Sequence, residues 1–194
     1  MVQTKRQEQK EFTRRRILDT AFRLYEVGGF SMPTNVIAQE AGISHGTIFV
    51  HFPTKKSLQL HVLERFAKEM GNKLHHLSAA GNNISELLHA HINVLKEYEQ
   101  FYKTLITELS SLPDETKTIL LSLQSTISLH FSVAVERGQQ TGTVKDIPLH
   151  VLFNTWMGLL HYYLRNSELF APGASVLDRR RDELVDGFIA LISK

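Results

Sequence analysis

The chain has 194 residues, 42% hydrophobic and 22% charged, with a formal net charge of +2, which is an ordinary composition for a globular protein and enough length for a sizeable core. It contains no cysteine, which excludes disulfides and thiolate metal sites. No apolar run approaches the roughly 20 residues of a membrane helix, and the charged N-terminus is unlike a secretory signal, so a cytoplasmic protein with no membrane partner is expected.

Apolar residues recur at helical spacing along the chain and strand-like alternation is not sustained, so the fold class reads as all-α. A first helix is predicted over residues 12–27, with Ile17, Leu18, Ala21, Phe22, Leu24 and Tyr25 on one face and Gly28-Gly29 as the stop. Pro33-Thr34 opens a short helix that runs to about Ala41. Gly42 ends it, and Ser44 caps the next one over residues 46–50. After Pro53-Thr54 a longer helix begins at Lys55 and carries Leu63, Phe66, Met70, Leu74 and Leu77 on one stripe, up to a turn at Gly81-Asn82-Asn83. Further helices are predicted over about 84–95 and 101–109, then from Asp114 as cap to a loop at 138–142, over 148–166, and over 176–192.

The informative stretch is residues 36–52, in which two short helices meet across Gly42-Ile43-Ser44. A sharp turn needs a residue free to take positive φ, and Gly42 supplies it. Ile37, Ala38, Ile43 and Ile48 are placed to pack the two helices together, which leaves Ser44, His45, Thr47 and Phe49 on the outer side of the second. A helix held this way fits the major groove and offers its N-terminal residues to base edges. Charge agrees. Residues 1–60 hold nine Lys/Arg against five Asp/Glu, and the remainder thirteen against fifteen, as expected for a basic reading head on a near-neutral body. Lys5, Arg6, Lys10 and Arg14 to Arg16 would add salt-dependent attraction to phosphate.

At these residues the sequence resembles the tetracycline-repressor (TetR) family. The resemblance is carried by Arg16-Ile17-Leu18 with Ala21-Phe22, Gly29-Phe30, Ile37-Ala38, Ala41-Gly42-Ile43-Ser44, Gly46-Thr47-Ile48-Phe49, His51-Phe52, and Lys55 with Leu58. It implies a three-helix DNA-binding head with a helix-turn-helix in residues 1–54, followed by a larger helical ligand-sensing and dimerisation domain in residues 55–194. It also implies that Thr34, Ser44, His45, Gly46, Thr47, Phe49, His51 and Lys55 meet DNA, with Lys55 on a phosphate. Two positions depart from the pattern. Phe49 stands where the family has Tyr, and the segment between Phe30 and Ile37 is one residue short with Pro33 in place of a hydroxyl residue, so Thr34 is expected to take over that phosphate contact.

The function expected is a sequence-specific DNA-binding transcriptional regulator, a repressor released from a palindromic double-stranded operator by a small-molecule effector. The body is expected to enclose a largely apolar effector among Phe66, Met70, His91, Ile92, Leu95, Phe101, Tyr102, Leu105, Ile127, His130, Phe131, Trp156 and Met157. A homodimer is expected through the last two helices, on faces built from Leu149, Leu152, Phe153, Trp156, Leu160, Tyr163 and Leu164, then Leu177, Leu184, Val185, Phe188, Leu191 and Ile192. Metal-responsive and architectural DNA-binding proteins are the alternatives. Ten histidines invite a metal, but His75-His76 and His89-x-His91 point in different directions on a helix, so no metal site and no cofactor is assigned. No nucleophile motif, phosphate loop or metalloprotease helix appears, so an enzyme is not expected.

Overall fold

A computed structural model describes residues 5–78 and 83–194, with side chains left out at 76–78. The turn expected at Gly81-Asn82 and the side chain of Leu77 therefore lie outside the described residues. The head consists of α1 (Lys5–Gly28), α2 (Thr34–Glu40) and α3 (His45–His51). The body follows as α4 (Lys55–Ser78), α5 (Ile84–Lys96), α6 (Glu99–Glu108), α7 (Asp114–Gln140), α8 (Leu149–Arg165), the single turn α9 (Ser167–Phe170) and α10 (Val176–Ile192). Among the described residues the only β pairing is an isolated bridge between Val144 and Ser193.

The punctuation falls where backbone chemistry demands it. Gly29 and Gly42 take φ of 77° and 63°, a region unfavourable to side chains, and end α1 and α2. Ser44 caps α3, and its hydroxyl accepts the N–H of Thr47. Three expectations need correction. α1 begins at Lys5, seven residues early, because residues 5–11 are exposed and mostly long-chain helix formers with no apolar rhythm to betray them. Asp114 is the first helical residue of α7 rather than its cap, which is Pro113. α7 also continues through Gly138 to Gln140, so only the end of the expected loop is a loop.

One apolar cluster runs through head and body, from Ile17 to Ile192. At the junction Phe22 of α1 stacks on Phe101 of α6, with ring centroids 4.1 Å apart, and Phe30 meets Phe101 edge-on at 5.6 Å. α7 is long and apolar enough to cross a membrane by composition alone, with mean hydropathy 1.4 over its best window. Its buried residues include Leu120, Leu123, Ile127 and Phe131, and the helix packs against α4, α5 and α8 on that side while Leu121, Leu129 and Val133 face outward.

The faces expected to pair two subunits have another task. Leu152, Trp156, Leu160 and Leu164 of α8 and Leu177, Leu184, Val185, Phe188 and Ile192 of α10 are all buried within the chain. The outward side of these two helices carries Val151, Gly158, Tyr162, Gly187, Ala190 and, alone of the α10 residues expected to pair subunits, the exposed Leu191. A Cβ added at Gly158 or Gly187 would meet nothing within 4 Å.

Candidate nucleic-acid interface

α2 and α3 pack through Ile37, Ala38 and Ile48, all buried, with Ile43 half-buried in the turn between them. This packing sets the outer side of α3 in a fixed direction. Ser44, His45, Gly46 and Phe49 are exposed, and Thr47 and His51 are half-exposed. The Ser44 and Thr47 hydroxyls lie 2.7 Å apart, so the cap residue also orients the next polar side chain. Thr34, at the start of α2, has its hydroxyl 2.9 Å from Nε2 of His45. A phosphate contact by Thr34 would therefore be shared with, or exchanged for, a bond to α3. The Phe49 ring is 41% exposed and rests edge-on against His45 at 5.1 Å, so it is a surface residue of the reading helix and not core.

The C-terminal end of α3 is held by Arg14, expected from the sequence only as one of a run of cations for phosphate. Arg14 donates from Nη1 to the His51 carbonyl at 3.1 Å and lays its guanidinium over the Phe52 ring at 4.4 Å. Its charge, with burial and Lys10, keeps the His51 imidazole below its ordinary pKa, burial being the largest cause. Lys55 donates to the Ser31 carbonyl at 2.6 Å, which ties the first turn of α4 to the loop between α1 and α2. Gln59 donates to the Phe30 carbonyl at 2.9 Å, and the Glu108 carboxylate accepts the Phe30 N–H at 2.9 Å. Both backbone polar groups of one buried residue are thus held by side chains of the body. No local pattern announces these pairs, because their members are 29 and 78 residues apart.

A seven-residue helix held at its C-terminal end by Arg14 and set outward by buried packing on α2 has the geometry of a helix-turn-helix that enters a major groove. The profile of bacterial regulatory proteins of the tetR family matches residues 17–62, which covers α1 from Ile17, both helices of the motif and the start of α4. Over this DNA-binding head the chain is similar to the tetR family. The head is accordingly that of a DNA-binding transcriptional regulator.

Among relatives, the Bacillus subtilis HTH-type transcriptional regulator YvkB is 25% identical over 196 residues, covering 92% of this chain and 98% of that one. A second regulator of the same organism, YerO, is 32% identical over 100 residues, but the match spans only 35% of its length. A transcriptional regulator from Saccharomonospora viridis, solved in complex with choline, shares the fold with a TM-score of 0.79 at 23% identity, covering 95% of this chain and 99% of that one.

The TetR-type body holds a small apolar cavity of about 20 Å³ between α4, α5, α7 and α8, lined by Leu74, Leu87, Leu88, His91, Ile127, His130, Phe131 and Trp156. The sequence-derived set thus supplies His91, Ile127, His130, Phe131 and Trp156, and misses the three leucines. Phe66, Met70, Ile92, Leu95, Phe101, Tyr102, Leu105 and Met157 are buried in the common core without lining this cavity. The polar groups on its wall are neutral near pH 7. Burial, with a smaller repulsion from His161, lowers His91 to about 4, and its Nδ1 accepts the Trp156 indole N–H at 3.1 Å. Burial and His75 lower His130, and its Nε2 is buried without a hydrogen-bond partner.

Proposed function

We propose that this regulator is a repressor that holds a palindromic operator as a homodimer and lets go when a small, uncharged, largely apolar molecule occupies the body cavity. The observation that carries the reading is the course of α4. Lys55 in its first turn is tied to the DNA-binding head, and Leu74 near its other end is part of the cavity wall. A helix of 24 residues spans about 36 Å, so one rigid element touches both places. The cavity has room for roughly one water. Anything larger must part the helices that form it, and close-packed cores yield by discrete shifts rather than smooth deformation. A ligand that binds the parted form better shifts the population toward it and lowers DNA affinity.

Lining chemistry supports the effector class. The walls offer aliphatic carbon, one phenyl ring, one indole and two neutral imidazoles, with no carboxylate to balance a cation such as the choline bound by the Saccharomonospora relative. The unpartnered His130 Nε2 is the polar atom an effector hydroxyl or carbonyl would reach. The outward stripe of α8 and α10 supports pairing, because Gly158, Gly187 and Ala190 admit close helix approach around Leu191, 64% exposed, and Tyr162, 57% exposed. Among the described residues no three His, Asp or Glu side chains gather as a metal site, so no observation favours a metal-responsive form.

Selection from random duplex DNA tests the reading. A recovered palindrome whose binding weakens with a screened apolar compound is expected. No consensus would indicate an architectural protein, and a consensus indifferent to every compound would remove the effector.

A further inference from the structure

A second opening lies away from the apolar cavity, where α6, α7 and α8 come together. It is an open groove of about 340 Å³ lined by Ile106, Leu109, Lys117, Leu120, Leu121, Gln124, His161 and Arg165. That volume falls at the lower end of the range of small-molecule sites, roughly 300–1,000 Å³. Its chemistry is divided. Ile106, Leu109, Leu120 and the largely exposed Leu121 give it an apolar part, Lys117 and Arg165 are its charged groups, and no carboxylate lines it.

The polar residues are not equally available. The His161 Nε2 is 2.9 Å from the Tyr102 hydroxyl. Burial and the Arg165 charge lower His161 to about 4, so it is neutral at physiological pH. Arg165 gives one Nη2 donor to the Ile106 carbonyl and has further donors on its planar fork. Lys117 pairs with Asp114 at 2.8 Å, but the Asp114 side chain is 91% exposed, and water competes for it. Two cations beside an apolar floor, with no built-in counter-charge lining the groove, complement a molecule with one anionic end and one short hydrocarbon end.

We propose that this groove binds an amphipathic monocarboxylate, its carboxylate held by Arg165 and Lys117 and its alkyl part laid on Ile106, Leu109, Leu120 and Leu121. The site is separate from the apolar cavity, takes a ligand of opposite polarity, and does not depend on the regulator reading for its occupancy. Its position gives it a route to the head. Ile106 and Leu109 flank Glu108, the residue that holds the Phe30 N–H, and the Ile106 carbonyl is itself an Arg165 partner. An occupant that draws Arg165 to its carboxylate acts directly on the end of α6 that touches the α1–α2 loop.

Calorimetric titration of the full chain without DNA tests the site, with octanoate as probe and 1-octanol as its uncharged counterpart. One saturable octanoate per chain is expected, with octanol bound at least about tenfold more weakly. Arg165→Gln and Lys117→Gln should each weaken octanoate by about tenfold, the loss of one charge-assisted hydrogen bond. Because Arg165 also braces Ile106, Leu121→Glu serves as a surface variant that leaves that brace intact. Leu121 is 61% exposed, and a carboxylate there should repel the probe. The proposal is overturned by no saturable binding, by equal affinity for octanol, or by affinity unchanged in K117Q and L121E.

Discussion

Glu108, the last residue of α6, accepts the backbone N–H of Phe30 at 2.9 Å, across the joint between the body and the DNA-binding head. Phe30 is buried, so this N–H has no water to fall back on. Gly29 beside it has φ of 77°, and a Cβ there would overlap the carboxylate. Glu108→Ala should therefore destabilise the chain by about 2 kcal/mol, measured by urea denaturation. Glu108→Gln keeps an acceptor and should recover most of that loss. Gly29→Ala should be at least as harmful as the alanine at 108, because it is opposed by both backbone and packing. A wild-type midpoint for Glu108→Ala would show that the joint is held by packing alone.

Acid should destabilise the chain through its buried body histidines. His91 is 4% exposed and its pKa is lowered to about 4, below the unfolded value near 6.5. Between those values the unfolded chain binds the proton more readily, so stability is complete above pH 6.5 and declines as pH falls toward 4. The His91 share is on the order of 3 kcal/mol, and His161, lowered to about 4 by burial and Arg165, acts in the same window. Denaturation free energies at pH 7, 5.5 and 4.5 should show the decline, and His161→Gln should flatten it. A stability flat across this range would mean that both imidazoles charge freely in the folded chain.

Thr47→Ala and Lys55→Ala separate base reading from phosphate attraction. Thr47 shares its hydroxyl with Ser44 at 2.7 Å, and the Ser44 cap on the Thr47 N–H survives the substitution. The fold should stand while affinity for the best operator falls by roughly 1–3 kcal/mol. Lys55→Ala should weaken all sequences alike and reduce the salt slope by about 1. Equal operator affinity in both variants, by fluorescence anisotropy at two salt concentrations, would move the contact surface off α3.

Leu191→Asp tests the pairing of subunits. The residue is 64% exposed on α10, clear of the internal face that carries Val185, Phe188 and Ile192. A buried unpaired carboxylate at a dimer centre should raise the dissociation constant on the order of 100-fold or more, giving a monomer in sedimentation. A dimer of unchanged strength would point to the other outward apolar row, Leu121, Leu129 and Val133 on α7.

The parts of the molecule legible in its sequence are those governed by local backbone chemistry. Gly29, Gly42 and Ser44 each have a conformational or capping role that any neighbouring context would leave in place. The reading helix was legible for the same reason. Less was visible where both sides of a helix are apolar. On α8, Leu152 and Trp156 face inward while Val151 and Tyr162 face out, and periodicity alone favours the stronger stripe without saying whether self or partner covers it. Contacts such as Arg14 to His51 and Glu108 to Phe30 join residues far apart in the chain and leave no trace in spacing. The start of α1 was hidden because its first turns bury nothing.

Trp156 is the only tryptophan in the chain. It is fully buried, lines the apolar cavity and donates its indole N–H to His91. The protein thus carries its single indole fluorophore, which can be excited apart from the five tyrosines, at the place where an effector would lodge, with its polar end on a titratable group. Emission from the unlabelled chain should respond to cavity occupancy before any operator is known, so compounds can be screened by light alone.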